Sequence, residues 1–266
     1  GQVSTIIAGP RVQGVSLTGS ERAGAAVAEQ SGRHLKKVVL ELGGSDVFLV
    51  LDTADVDRAV EQAVAGRLEN SGQACNGSKR IVVIDELYDE FAAKFIEAMG
   101  SVKQGAASET DVDLGPLSSS RAAQVLSSQV TKAVEQGAQL HIGATHADGC
   151  FFAPTVLSGV TPDMEVYNEE LFGPVAVLYR VKDEAEGIAL ANSSPYGLGS
   201  IVFCDDLERA ERVGTQLDVG MVFINGAGLD GPNLPFGGVK RSGIGRELGR
   251  FGIEEFINKK LFVHAS

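Results

Sequence analysis

The segment Asp46–Leu51 constrains the fold more than any other part of the chain. It reads Asp-Val-Phe-Leu-Val-Leu, with no polar residue after the first. A half-exposed strand alternates apolar and polar residues. An unbroken apolar run of this length predicts a strand covered on both faces, as in a parallel sheet. Asp52 and Thr53 then offer a helix N-cap, and apolar residues at positions 56, 59, 60, 63, 64 and 68 make one helical stripe. A buried strand leading straight into an amphipathic helix is half of a β-α-β unit. Such units place helices over both faces of the sheet.

The same alternation recurs along the chain. Strands are predicted at Val12–Thr18, Lys37–Glu41, Arg80–Ile84, Phe151–Leu157, Val175–Val181, Ser200–Phe203 and Met221–Asn225. Helices are predicted at Glu21–Ser31, Tyr88–Met99, Arg121–Gln136, Glu184–Asn192 and Leu207–Gln216. Residues 100–119 are polar and read as a long surface loop, and 226–245 is glycine-rich without periodicity. A short helix near Glu247–Gly252 and a strand near Phe256–Val263 are expected at the end. There is no internal repeat. The predicted fold class is α/β, with a mainly parallel sheet flanked by helices.

Charge and cysteine usage remove several functional classes. The chain carries 23 Lys and Arg against 35 Asp and Glu, a formal charge of −12, and has no basic stripe of the kind that neutralises phosphates. Nucleic acid is therefore not an expected partner. No apolar run approaches the roughly 18 residues that suggest a membrane helix, so none is expected there either. Residues 1–10 lack the basic start and long apolar core of a signal peptide. Three cysteines, Cys75, Cys150 and Cys204, include no CxxC pair. This argues against a disulfide framework and for a reducing, cytoplasmic setting. No metal is expected.

Five features can carry chemistry. Cys75 lies in the polar loop Gly72-Gln73-Ala74-Cys75-Asn76-Gly77 between a helix and a strand, where catalytic groups concentrate. It reads as a reactive thiol or as a small buried one packed beneath the loop. Glu41 ends an apolar strand just before Gly43 and Gly44. A carboxylate there points into the crevice where open α/β sheets bind ligands, and partial burial would raise its pKa toward that of a general base. It could equally be a solvated acid. Gly19 and Ser20 precede a helix, whose N-terminal amides bind phosphate or simply take Ser20 as a cap. Glu169 and Glu170 precede Leu171, Phe172, Gly173 and Pro174 and line a cleft or form a surface turn. Residues 235–243, beginning Pro-Phe-Gly-Gly, form a mobile or tightly wound loop.

Taken together and in this order, these segments resemble the aldehyde dehydrogenase superfamily. Leu17-Thr18-Gly19-Ser20 is similar to its cofactor-phosphate turn, Leu40-Glu41-Leu42-Gly43-Gly44 to its base motif, and Gly72-Gln73-Ala74-Cys75 to its nucleophile motif. Glu41 and Cys75 stand 75 − 41 = 34 residues apart, which also matches. The finer resemblance, through Ser78-Lys79-Arg80, Asn225-Gly226 and residues 235–256, is to the succinate-semialdehyde dehydrogenase-like branch. Two departures stand out. Enzymes acting on that substrate place an arginine six residues before the nucleophile, where this chain has Glu69. They place a serine four residues before the Pro-Phe-Gly-Gly, where it has Gly231. A second cysteine two residues after the nucleophile, found in some members, is replaced by Gly77.

The resemblance implies an NAD- or NADP-dependent oxidation of a small-molecule aldehyde. In it, Cys75 forms a thiohemiacetal and then a thioester, and Glu41 activates the hydrolytic water. It further implies that Gly19 and Ser20 contact the cofactor pyrophosphate, that Glu170 holds the nicotinamide ribose, that Phe172 packs on the cofactor, and that Asn225 is a polar neighbour of the site. Family members extend further at the N-terminus, so residues 1–44 are expected to be the remnant of a dinucleotide-binding domain. Residues 45–245 would be the catalytic domain and 246–266 a C-terminal helix with an oligomerisation strand. The chain would then be a fragment of a homo-oligomeric enzyme, inactive alone. A Cys/Glu thioesterase or acyl hydrolase and a non-catalytic interaction fragment stay open as other readings.

Overall fold

The computed structural model describes residues 1–229 and 231–265. Helix α1 (Gln2–Ala8), β1 (Gly14–Thr18), α2 (Glu21–Arg33) and β2 (Lys37–Glu41) come first, followed by β3 (Asp46–Asp52) and α3 (Val56–Leu68). Next are β4 (Ser78–Ile84), α4 (Asp85–Gly100), α5 (Ser120–Glu135), β5 (Gln139–Ile142), β6 (Thr155–Ser158) and β7 (Val175–Val181). The remaining elements are α6 (Glu184–Asn192), β8 (Tyr196–Gly197), β9 (Gly199–Cys204), α7 (Leu207–Gly214), β10 (Met221–Ile224), β11 (Val239–Lys240), β12 (Gly243–Ile244) and α8 (Gly249–Glu254).

Seven strands form the main sheet in the order β10-β9-β3-β4-β7-β6-β5, and every neighbouring pair is parallel except β5 with β6. β3 is an interior strand, paired with β9 on one side and β4 on the other, as its apolar run predicts. Val47, Leu49 and Leu51 face one core with Leu126, Val130 and Ala210, from the side of α5 and α7. Phe48 and Val50 face the other with Ala63, Phe91 and Phe95, from α3 and α4. Each face of the strand therefore supplies part of a separate core, which is why no polar residue interrupts it. The helix after β3 is capped by Asp55, whose Oδ1 accepts from Arg58 N at 3.0 Å, while Thr53 Oγ1 accepts from Asp55 N at 3.0 Å. The cap thus falls later than Asp52 and Thr53.

A smaller sheet, β1-β2-β12, stands apart, with β1 and β2 parallel and β12 antiparallel to β2. Gly243 must be glycine there: its φ is +141°, and a Cβ would lie 1.8 Å from Leu40 O. The glycine-rich stretch thus holds two short pairings, β12 on β2 and β11 on β8.

Several expectations need correction. Phe256–Val263 forms no strand; it runs on from α8 without a ladder partner, and Leu261, Phe262 and Val263 are exposed. Its ties to the rest include Lys37 Nζ, which donates to Ile257 O at 3.2 Å, and the Phe256 ring over Gly14. An isolated extended segment leaves its backbone to water, so pairing has to come from another strand edge. The strand expected at Phe151–Leu157 begins only at Thr155, because Pro154 interrupts it. The loop 100–119 is not wholly superficial, since Leu114 and Leu117 are buried. Helix α1 and strand β5 lack a strong period and were not foreseen.

Candidate active site

The two sheets meet at residues 42–45, between the end of β2 and the start of β3. Ser242 fixes this crossing: its carbonyl accepts from Leu42 N at 2.9 Å, and its Oγ donates to Gly43 O at 2.7 Å. Open α/β sheets bind ligands at the carboxyl ends of their strands. Here the small sheet contributes those ends, at Thr18 and Glu41, while the large sheet contributes the opposite ends, at Asp46, Ser78 and Gly199.

Glu41 closes β2 with 2% of its surface exposed, and both of its carboxylate oxygens are buried without a hydrogen-bond partner. Burial first, and then repulsion by Glu247, push its pKa up to about 8, against the pull of Arg246. The Pro-Phe-Gly-Gly loop packs directly on the carboxylate. Gly237 has φ +152°, and a Cβ there would sit 2.7 Å from Glu41 Oε1. That loop is therefore tightly wound, and a glycine is demanded by the approach.

Cys75 follows a strained turn. Helix α3 ends at Leu68, and Asn70, Ser71 and Gly72 then take φ of +49°, +59° and +73° in succession. Non-glycine residues in this region cost on the order of 1–3 kcal/mol each, strain that native structures concentrate at functional sites. The surroundings fix the turn. The buried Arg67 donates through Nη2 to Gly72 O at 2.5 Å, Ser71 Oγ donates to Gly115 O at 3.1 Å, and Gln73 Oε1 accepts from Ser118 N at 2.8 Å. A Cβ on Gly72 would lie 2.3 Å from Gly173 O, so the turn presses against the Gly173-Pro174 bend.

Beneath Cys75 lies Lys79, 1% exposed, whose Nζ donates to Ala74 O and to Cys75 O, both at 2.7 Å. Its charge is met by Glu170, at 3.3 Å from Nζ. Cys75 is half-buried, and desolvation pushes its thiol up to about 11 despite Lys79. The loop was expected to favour thiolate; in this state it favours the thiol. Burial is the main reason; Lys79 pulls the other way, and Asp46 and Glu170 add to the rise.

The remaining expected residues also converge on this crossing. Glu170 Oε1 accepts from Gly44 N at 3.0 Å, and a Cβ on Gly44 would lie 2.4 Å from Cys75 O. One glycine thus separates Glu170 from the cysteine loop. Phe172 is 43% exposed and lines with Glu170, Arg121 and Gln129 an open recess of about 350 Å³. Ser20 caps α2, its Oγ accepting from Ala23 N at 3.4 Å. A Cβ on Gly19 would meet nothing within 4 Å, so the approach to that helix end is clear. An open helix N-terminus for an anionic linkage, a carboxylate for hydroxyls and an exposed ring face fit a dinucleotide.

Asn225 does not join them. Its Oδ1 accepts from Cys204 N and its Nδ2 donates to Cys204 O, both at 2.8 Å, so it clamps the end of β9. Glu69 is exposed at the head of the strained turn. Lys79, Arg67 and Asp46 were not singled out for this buried charged group. For Lys79 a signal was present: Ser78, Lys79 and Arg80 put three polar residues in succession at the start of a strand whose remaining residues, Ile81 to Ile84, are all apolar. Among the described residues no helix is long and apolar enough to cross a membrane, and no cluster of three or more His, Cys, Asp or Glu is placed to hold a metal.

Known proteins similar to this chain fall in one family. A family model described as "Aldehyde dehydrogenase family" matches residues 2–262. A succinate-semialdehyde dehydrogenase [NADP(+)] of Deinococcus radiodurans is 56% identical over 261 residues, 97% of this chain and 55% of that protein. Its counterpart in Mycobacterium avium is 45% identical over 97% of this chain and 55% of its own length. The chain therefore spans about half the length of these relatives. Among solved structures, succinic semialdehyde dehydrogenase from Streptococcus pyogenes in complex with NADP+ superposes with TM-score 0.96 at 43% identity, covering all of this chain and 59% of that one.

Proposed function

This chain belongs to the aldehyde dehydrogenase family, and from that premise we propose that it carries the catalytic pair of an NADP-dependent oxidation of an aldehyde to a carboxylic acid. Cys75 is the nucleophile and Glu41 the general base. The observation that carries the reading is the orphaned carboxylate of Glu41, buried with both oxygens free beside the crossing that holds the Cys75 loop. A buried acid with no structural partner is costly, and its displacement to about 8 puts it near the pH at which a base works best.

The Cys75 sulfur, once deprotonated, adds to the aldehyde carbon and makes it tetrahedral. Backbone N–H groups around Cys75 meet the oxyanion that develops; a single such donor is typically worth about 3 kcal/mol. A bound nicotinamide would supply the hydride acceptor for this carbon, and Cys75 would then carry the acyl group as a thioester. Glu41 takes a proton from water, the resulting hydroxide attacks the thioester, and the acid leaves with regeneration of the thiol. Gly19 and Ser20 hold the pyrophosphate at the start of α2, Glu170 the nicotinamide ribose, and Phe172 packs on the cofactor. NADP+ is favoured over NAD+ because the similar enzymes of Deinococcus radiodurans and Mycobacterium avium are NADP(+) enzymes by name.

Succinate semialdehyde is the substrate these relatives support. Glu69 and Gly231 stand where an arginine and a serine would hold its second carboxylate, so that carboxylate is met by other residues. The division at 44/45 and 245/246 into cofactor-binding, catalytic and C-terminal parts goes with this reading. So does a homo-oligomer in the cytoplasm, which would cover the exposed apolar tail.

The test is reduced-nicotinamide fluorescence on mixing succinate semialdehyde and NADP+ with an enzyme that carries this chain at the full length of its relatives, with p-nitrophenyl acetate as a cofactor-free arm. The expected result is cofactor reduction that Cys75→Ala abolishes, and an acetyl group on Cys75 that accumulates in Glu41→Gln. Acetylation of Cys150 or Cys204 in place of Cys75 would overturn the assignment. Ester turnover without any cofactor reduction would favour an acyl hydrolase.

A further inference from the structure

Lys79 is a charged residue in the interior of the main sheet, in a strand that otherwise serves two apolar cores. A buried ammonium persists only where its protons are all received. Lys79 answers this with three oxygens: it donates to the carbonyls of Ala74 and Cys75 and forms an ion pair with the carboxylate of Glu170. Two of the three belong to the cysteine loop. Glu170 in turn is held by Gly44 N, so its carboxylate stays on Lys79 and does not swing to solvent. Asp46 at the start of β3 also acts on this thiol, and Arg67 at the end of α3 acts on Lys79; both are buried.

Building on the reading of Cys75 as the nucleophile, we propose that Lys79 is a positioning residue that fixes the Cys75 loop by its carbonyls and favours the thiolate, with Glu170 as the opposing charge that holds this effect in check. Lys79 touches the loop backbone and not the reacting atoms. Its influence on sulfur is electrostatic and is reduced as long as Glu170 pairs with it. The two residues must therefore act on Cys75 with opposite signs, which a role in packing alone would not produce. Asp46, which burial pushes up to about 7, is common to all the variants, so its titration enters each labelling profile alike.

The experiment measures iodoacetamide labelling of Cys75, by mass mapping, in the 266-residue chain between about pH 7 and about pH 9, where the rate reports the thiolate fraction. Lys79→Met is expected to slow labelling of Cys75 about tenfold at fixed pH, one pKa unit being one factor of ten. Glu170→Gln is expected to speed it several-fold, with Cys150 unchanged in both. Where Lys79→Met fails to fold, Glu170→Gln decides alone, because it keeps the shape of a partly exposed side chain. A Glu170→Gln protein whose Cys75 labels more slowly, or at the unaltered rate, overturns the proposal. So does a folded Lys79→Met protein with normal labelling. If Cys150 or Cys204 is the fastest thiol in the unaltered chain, it is the assignment of Cys75 as the nucleophile that fails.

Discussion

The amide of Gly19 donates to the carbonyl oxygen of Glu41 at 2.9 Å, one step beyond the last paired residues of β1 and β2. This single bond ties the open turn before α2 to the residue that carries the orphaned carboxylate. The proposed pyrophosphate contact and the proposed base are therefore parts of one rigid strand end. Gly43 and Gly44 extend that unit to Glu170 and to the Cys75 loop.

Gly19→Val should separate ligand binding from stability. A Cβ at this position has no neighbour within 4 Å, so the fold should tolerate it, with a change inside about 0.5 kcal/mol. The branched side chain would cover the helix end. Titration with NADPH should show affinity weakened by about tenfold at an unchanged melting temperature. A drop in melting temperature without a change in affinity would show that the turn is structural.

Glu41→Gln should remove a pH dependence of stability. The folded pKa of about 8 lies above the ordinary 4.5, so the folded state holds the proton more tightly than the unfolded chain. Below about pH 4.5 the acid is neutral in both states and costs nothing. Between there and about pH 8 the unfolded chain ionises first, and stability falls as pH rises. The penalty above pH 8 is on the order of 3 kcal/mol after allowance for relaxation. Thermal melts of the two proteins should coincide near pH 4.5 and diverge toward pH 9, with the glutamine protein the more stable.

Gly72→Ala should be severely destabilising. The residue combines a φ of +73° with a Cβ position 2.3 Å from Gly173 O. The turn would have to leave the Gly173-Pro174 bend, at a cost of about 2–4 kcal/mol. Urea denaturation measures the loss. An effect below about 1 kcal/mol would mean that the turn relaxes freely and is not held by Arg67, Ser71 and Gln73.

Deleting residues 256–266 should change the state of association. Leu261, Phe262 and Val263 are 85%, 77% and 77% exposed, and exposed apolar segments without a ladder partner recruit other chains. Light scattering should show association in the whole chain that falls with the deletion. A monomer in both cases would separate the tail from any role in assembly.

Much of the architecture was legible because it is written locally. β3 and α3 follow from an apolar run and a helical stripe within about twenty residues. The strand at Phe256–Val263 was misread because strand-like composition does not supply a partner edge, and the partner is a non-local fact. Asn225 was misplaced for a similar reason: a polar residue after a strand looks available for chemistry until its two bonds to Cys204 are seen.

The sequence by itself determined the α/β class, most of the strands and helices of the main sheet, and Glu41 and Cys75 as the candidate acid and thiol. Only the tertiary structure decided their protonation. The carboxyl at 41 is raised by burial and by Glu247, and the thiol at 75 by burial against a lysine that Glu170 neutralises. Lys79 is a local neighbour of Cys75, but Glu170 and Glu247 lie 170 − 75 = 95 and 247 − 41 = 206 residues from the groups they act on. A charge is felt through distance and exposure to water, and neither exists until the chain has folded.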